Sequence, residues 1–285
     1  MRQKQIPAPA NPSMITDFET YLRREERSEN TIAKYVRDLR ALFSFLDGKE
    51  MDKDLLLSWK GHLIEAYAPA SVNSMLAAVN SFFTFAGWEN LKVKLFKIQQ
   101  IYYSRPEREI TETDYKKLIN AARRNSDEQM SMVLQTIGST GIRISELKFI
   151  TVESLEMGRA EIYNKGKSRV VLLPVELTRM LKKFCRKEKI AAHSIFITRN
   201  GNPLDRSNIS KKMKRLARDA GVDERKVFPH NFRHLFARVF YSIEKDVVRL
   251  MDLLGHSNIS TTRVYTMATE DLPRRQMSQM KLVLG

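Results

Sequence analysis

The chain has 285 residues, 42% hydrophobic and 29% charged, which provides for one large or two modest soluble cores and excludes a disordered or membrane-embedded polypeptide. Its single cysteine, Cys185, excludes an intramolecular disulfide and any multi-cysteine zinc site. Net charge is +16, and residues 101–285 hold 35 of the 49 Lys and Arg against 21 of the 33 Asp and Glu. A field of that sign concentrates polyanions, nucleic acid being the commonest.

The first dozen residues are Pro/Ala-rich and read as a disordered tail, with no apolar run suited to a signal peptide. Nothing later approaches the ~18 apolar residues of a membrane span. The expected setting is the bacterial cytoplasm, at the nucleoid, with no membrane partner.

Residues 13–88 carry four amphipathic stripes. Met14, Ile15, Phe18, Tyr21 and Leu22 share one face, and Ile32, Tyr35, Val36, Leu39, Leu42 and Phe43 another, which stops at Asp47-Gly48. Leu55, Leu56, Trp59, Leu63 and Ile64 make the third. Val72, Met75, Leu76, Val79, Phe82 and Phe83 make the fourth, after Pro69. Four short helices without a Gly-rich loop or clustered acid–base residues read as a binding module. Residues 89–108, with Arg105-Pro106-Glu107-Arg108, read as a linker.

A second domain is expected over 109–271. Thr111 and Asp114 offer a capping box before Tyr115, Leu118, Ile119 and Ala122. Helices are predicted around 129–138, 144–151, 175–190, 207–220, 230–241 and 246–254. The β-prone runs 161–164 and 169–173 flank Lys165-Gly166-Lys167-Ser168 and read as a hairpin, with Ser194–Thr198 a further short strand. The fold class is therefore mostly α with a small antiparallel sheet: an N-terminal four-helix domain, then a mixed α+β domain, then a tail at 272–285.

Four stretches carry candidate chemistry. In Pro229–Tyr241, Phe232, Leu235, Phe236, Val239 and Phe240 form a buried stripe, which puts His230 and Arg233, three apart, together on the face away from the core. A histidine and an arginine near a helix N-terminus suit a phosphate, although a solvated polar face has the same pattern. His230 and His234 have a metal-ligand spacing, but Asn231 stands where a zinc protease needs glutamate and no third ligand is near, so no metal is expected. In Ser139–Leu147, Glu146 lies three residues after Arg143, close enough to orient its guanidinium; an exposed ion pair is the plainer alternative. Lys165, Lys167 and Arg169 surround the hairpin tip, where basic residues most often touch DNA backbone; a lysine there also suits protonation of a leaving group. In Leu253–Thr266, Gly255 ends a helix, His256 follows it, and Tyr265 comes nine residues later.

Taken in order, TGIRISEL, NKGK, HNFR and LLGHSNISTTRVY resemble the tyrosine recombinase (phage integrase) family, in its minimal Xer-like form. The resemblance implies that residues 13–88 are a core-binding domain on DNA and 109–271 a catalytic domain. It implies a catalytic set of Arg143, Lys165, His230, Arg233, His256 and Tyr265, with Glu146 at the acidic position of the first arginine box. The family's hairpin often reads Gly-Lys-Gly, whereas Asn164 precedes Lys165 here, so Lys167 is an alternative catalytic lysine. Lys167, Arg169, Lys211, Lys212 and Lys214 are expected to contact DNA. At this length no further arm-binding domain is expected.

By the implied mechanism, Arg143 and Arg233 hold the non-bridging oxygens, and His256 donates a further hydrogen bond. Tyr265 attacks phosphorus with help from His230, and Lys165 protonates the departing 5′ oxygen. Forming a phenolate at pH 7 costs about 4 kcal/mol, which surrounding cations reduce. The 3′-phosphotyrosyl link stores the phosphodiester energy, so neither ATP nor a cofactor is expected. The implied partners are double-stranded recombination sites and copies of the chain, a dimer on one site and a tetramer in the synapse; an accessory directionality factor is a further candidate. A tail at 272–285 is expected to dock on a neighbouring protomer. A type IB topoisomerase uses a similar residue set, and a non-cutting DNA-binding regulator shares the fold.

Overall fold

Four helices form where the four apolar stripes lie: α1 (Pro12–Arg24), α2 (Glu29–Leu46), α3 (Lys53–Ala66) and α4 (Pro69–Phe85). The structure, a computed structural model, describes residues 12–98, 106–164, 167–256, 258, 261–262 and 279. The expected tails at 1–12 and 272–285 and the middle of the expected linker therefore fall almost wholly outside the described residues. The chain divides into two compact units, Met1–Gln100 and Ile101–Gly285.

In the first unit the Ser28 and Asp52 side chains accept backbone N–H groups at the starts of α2 and α3, and Pro69 opens α4. The helices close over Phe18, Leu39, Leu42, Leu76, Phe82 and Phe83. Phe82 meets Phe18 edge-on at 5.5 Å and Trp88 at 5.8 Å. Ile64 departs from expectation at 50% exposed. The seam of α3 is a narrow one of Leu56, Trp59 and Leu63, and the next residue turns about 100° away from it.

Residues 89–96 also depart from expectation, because they pack on the helices instead of starting a linker. Trp88, Leu91 and Val93 are buried. The Asn80 side chain donates to Val93 O at 2.8 Å and accepts from Val93 N at 2.9 Å. Asn73 treats Phe96 the same way, at 2.9 and 2.7 Å. One amide supplies both a donor and an acceptor, so each asparagine pairs extended backbone as a strand neighbour would.

The second unit runs α5 (Glu112–Arg124), α6 (Glu128–Thr140), a 3-10 turn (Ile144–Phe149), α7 (Val152–Met157), β1 (Arg159–Asn164), β2 (Lys167–Leu172), α8 (Val175–Glu188), α9 (Arg206–Ala220), α10 (Pro229–Glu244) and α11 (Val247–Leu254). Thr111 and Asp114 form the capping box of α5, with bonds of 3.0 and 3.1 Å. Val133, Leu134 and Ile137 of α6 lie in one core with Ile119, Leu181, Met213 and Phe232.

Three local expectations are corrected. The expected helix at 144–151 is a 3-10 turn over Ile144–Phe149, because Thr151 caps a fresh helix by accepting from Ser154 N. Ser194–Thr198 makes only isolated bridges, Thr151↔Ser194 and Ile197↔Pro203. In the hairpin, Asn164 pairs with Lys167 and Tyr163 with Ser168, so Lys167 and Ser168 belong to β2 and only Lys165-Gly166 connect the strands.

Replacing Asn80 with alanine removes both bonds to Val93 and is expected to cost about 1–3 kcal/mol locally. Amide exchange at Val93 should accelerate while that of α2 holds; unchanged protection at Val93 would refute the clamp.

A candidate phosphate site at the end of helix α11

Helix α11 stops at Gly255, which takes the left-handed conformation at φ +62°. The N–H groups of Gly255 and His256 turn back to the carbonyls of Asp252 and Met251, at 3.0 and 3.1 Å. The next three carbonyls are each met by an arginine from a different element. Arg169 of β2 donates from Nη1 to Leu253 O at 2.9 Å, and Arg233 of α10 from Nη2 to Leu254 O at 2.7 Å. Arg143, just before the 3-10 turn, reaches Gly255 O from Nη2 at 3.5 Å. The negative end of a helix dipole favours cations here, which offsets part of their mutual repulsion.

Arg233 departs from the expected exposed face: it is 2% exposed. The α6–Arg143 connection and the end of α11 cover that side of α10, and Arg233 Nη1 also donates to Gly141 O at 2.5 Å. Gly141 permits this approach, with φ +63° and no room for a Cβ, which would lie 2.5 Å from Phe236 Cδ1. Of the expected stripe on α10, Phe232 and Leu235 are buried, while Phe236, Val239 and Phe240 are half-buried.

Glu146 is not half of an exposed pair. It is 2% exposed, and Oε1 accepts from Arg143 Nη1 at 3.0 Å. Oε2 accepts from Arg169 Nη2 at 2.6 Å and from the Arg143 N–H at 3.0 Å. Burial alone would raise its pKa, but the bond and charge of Arg169, and then the backbone and side-chain bonds from Arg143, hold it below 4.5.

His256 lies between Arg233 and Thr262. Its Nε2 is 2.8 Å from Arg233 Nη2, and its Nδ1 is 2.9 Å from Thr262 Oγ1. A guanidinium has no acceptor, so Nε2 accepts from Arg233 and Nδ1 carries the proton toward Thr262. Desolvation, then the charges of Arg233, Arg143 and Arg169, lower its pKa to about 4, so the ring is neutral at pH 7. His230 is exposed at the start of α10, and desolvation followed by the charges of Arg233 and Arg143 lowers its pKa below 6.5. Its ring meets that of His234 edge-on at 4.5 Å. Burial takes His234 down to about 3. Among the described residues no three His, Cys, Asp or Glu side chains gather as a metal site.

The structure thus brings Arg143, Glu146, Arg233 and His256 into one bonded cluster, with His230 beside its charges. It adds two residues that the sequence reading lacked in this role. Arg169, expected on DNA, points inward with a 13% exposed side chain. Thr262 is fully buried against His256, and nothing marks it out from Ser257, Ser260 and Thr261 in the sequence. Lys211, Lys212 and Lys214 are exposed on α9, with Lys212 bonded to Asp127 at 3.2 Å. Lys167 lies in β2. Lys165 and Tyr265 lie outside the described residues.

Cationic donors around a main-chain turn, with a neutral histidine among them, have the chemistry that suits an oxyanion such as a phosphate. Residues 108–271, more than half the chain, match the phage integrase family, and residues 15–90 match the phage integrase N-terminal SAM-like domain. The chain is 28% identical over 278 residues to tyrosine recombinase XerA of Thermococcus kodakarensis, covering 95% of this chain and 96% of that protein. It is 29% identical over 292 residues to tyrosine recombinase XerD of Staphylococcus saprophyticus, covering 93% and 98%. Its fold is similar to that of a lambda integrase tetramer bound to a Holliday junction, with a TM-score of 0.70 at 18% identity, covering 88% of this chain and 76% of that one. The chain belongs to the phage integrase family.

The histidines give stability a pH dependence of definite sign. His256 and His234 titrate near about 4 and about 3 in the folded chain, against 6.5 when unfolded. As pH falls from 6.5, the unfolded chain takes up protons that the native chain does not, so stability drops. Below 4.5 the depressed Glu146 adds a further loss in the same direction. The urea midpoint should fall between pH 7 and 4.5, and His256→Gln should flatten that slope; an unchanged slope in the variant would contradict the assignment.

Proposed function

We propose that this site-specific recombinase cuts and rejoins DNA by transferring a scissile phosphodiester to Tyr265 and back to a 5′ hydroxyl. The reading is carried by one observation: guanidinium groups from separate elements meet at the consecutive carbonyls of Leu253, Leu254 and Gly255. Such an arrangement holds donors in place before charge develops on phosphorus, so little reorganisation is needed in the transition state.

In this mechanism Arg143 and Arg233 take the non-bridging oxygens, for which a planar fork is suited. Arg233 is held by the carbonyls of Gly141 and Leu254, so its orientation is fixed. His256 accepts from Arg233 in the DNA-free chain. For it to donate to phosphate, Nε2 must gain a proton or Nδ1 must surrender one, and the phosphate's negative charge favours protonation. His230 assists removal of the phenol proton. Tyr265 Oη then bonds phosphorus as the P–O5′ bond breaks, and Lys165, or Lys167 in its stead, delivers a proton to the departing oxygen. The attack of a 5′ hydroxyl from a partner duplex reverses each change. The covalent bond conserves the phosphodiester energy, so the exchange is isoenergetic.

The DNA-binding role of residues 13–88, the contacts of Lys211, Lys212 and Lys214, and assembly as a dimer on one site and a tetramer in synapsis belong to the same proposal. It is supported by the match to the family's N-terminal domain and by likeness to a tetrameric DNA-bound integrase. An accessory directionality factor and residence at the bacterial nucleoid are consistent with it. Among the described residues, no helix is long and apolar enough to cross a membrane.

On a nicked suicide duplex the chain should become covalently attached to the 3′ end, and Tyr265→Phe should lose the adduct while keeping duplex affinity. Adduct formed by Tyr265→Phe would transfer the nucleophile's role elsewhere. Removing residues 272–285 should abolish synapsis yet leave single-site binding; unchanged strand exchange would retire the docking role of the tail.

A further inference from the structure

A basic residue on a β-hairpin ordinarily meets DNA backbone, yet Arg169 faces the cluster. Its Nη2 donates to Glu146 Oε2 at 2.6 Å, and its Nη1 donates to Leu253 O at 2.9 Å. Its stem lies so close over the turn that a Cβ on Gly255 would come within 2.2 Å of Cδ. The carboxylate it holds is the one that holds Arg143, through both the guanidinium and the backbone N–H.

One buried negative charge is therefore divided between two cations. With both present, Glu146 fixes the direction of Arg143 without neutralising it fully. Without Arg169, the whole charge of Glu146 falls to Arg143, which would draw that guanidinium back and weaken its field at a phosphate. The turn at Leu253–Gly255 would lose a tie at the same time.

We infer that Arg169 is a positioning residue which, through Glu146 and the Leu253–Gly255 turn, aims Arg143 at the scissile phosphate and keeps its charge available there. This rests on the reading of Arg143 as a phosphate ligand given above. Arg169 itself stays off the substrate, so its effect falls on the rate of cleavage and spares duplex affinity.

The test compares cleavage of an ordinary scissile phosphate with that of a methylphosphonate, in which a neutral methyl replaces one charged oxygen. Arg169→Gln should cut the ordinary site about 10- to 100-fold more slowly, less than the roughly 100- to 1000-fold lost when a preorganised donor is removed outright. Duplex binding and its salt dependence should hold, and the deficit should largely vanish on the methylphosphonate, which needs less cationic help. Arg143→Ala should show the same pattern in stronger form. Arg169→Lys, a point charge without a fork, should fall between.

An equal deficit on both substrates would reduce Arg169 to scaffold and overturn the inference. Weaker binding with a shallower salt slope would overturn it in favour of a backbone contact. If Arg143→Ala is itself not relieved by the methylphosphonate, the phosphate-ligand reading fails and takes this inference with it. If Arg143→Ala is relieved and Arg169→Gln is not, only the inference fails. Should Arg169→Gln not fold, Arg169→Lys carries the same comparison.

Discussion

Every helix ends with carbonyl groups that no further turn will satisfy, and in α11 those groups organise the site. Gly255 turns the chain so that its own N–H and that of His256 close on earlier carbonyls. Three guanidinium groups, from β2, α10 and the segment before the 3-10 turn, then converge on the oxygens of residues 253, 254 and 255. Elements far apart in sequence are thus registered against one short stretch of main chain. The positive φ of Gly255 and the missing Cβ are both required, since a side chain there would occupy the space of the Arg169 stem.

Gathering cations in a partly dry place is costly, and the cluster meets that cost in three ways. Carbonyl dipoles and the negative end of α11 face the guanidinium groups. Glu146 supplies one full negative charge, shared by Arg143 and Arg169. The histidines decline to add to the charge: His256 and His234 are neutral well below pH 7. The result is a positive centre whose terminal guanidinium nitrogens are held by main-chain carbonyls and Glu146, while Arg169 Nε is left buried without a partner among the described residues.

Much of this was legible in the sequence, because side-chain pattern determines it. Amphipathic stripes located α1 to α4, and Thr111 with Asp114 marked the start of α5. The ordered motifs around Arg143, His230, Arg233 and His256 pointed to the family that the comparisons then showed. What the pattern missed depends on main-chain geometry. Arg233 looked exposed because periodicity on α10 knows nothing of the turn that covers its other side. Arg169 looked like a DNA contact because a basic hairpin residue gives no sign of which way it turns. Asn73 and Asn80 look like ordinary polar helix residues, and their pairing with Phe96 and Val93 needs the fold to be known.

The grip on carbonyl oxygens has an evolutionary corollary. Atoms common to every amino acid do the anchoring, so the identities of Leu253 and Leu254 are decoupled from it and answer only to packing. Drift among apolar residues there would leave the three anchors intact, whereas Gly255 has no such latitude. Sequences can thus diverge widely around this bend while the grip on it stays unaltered.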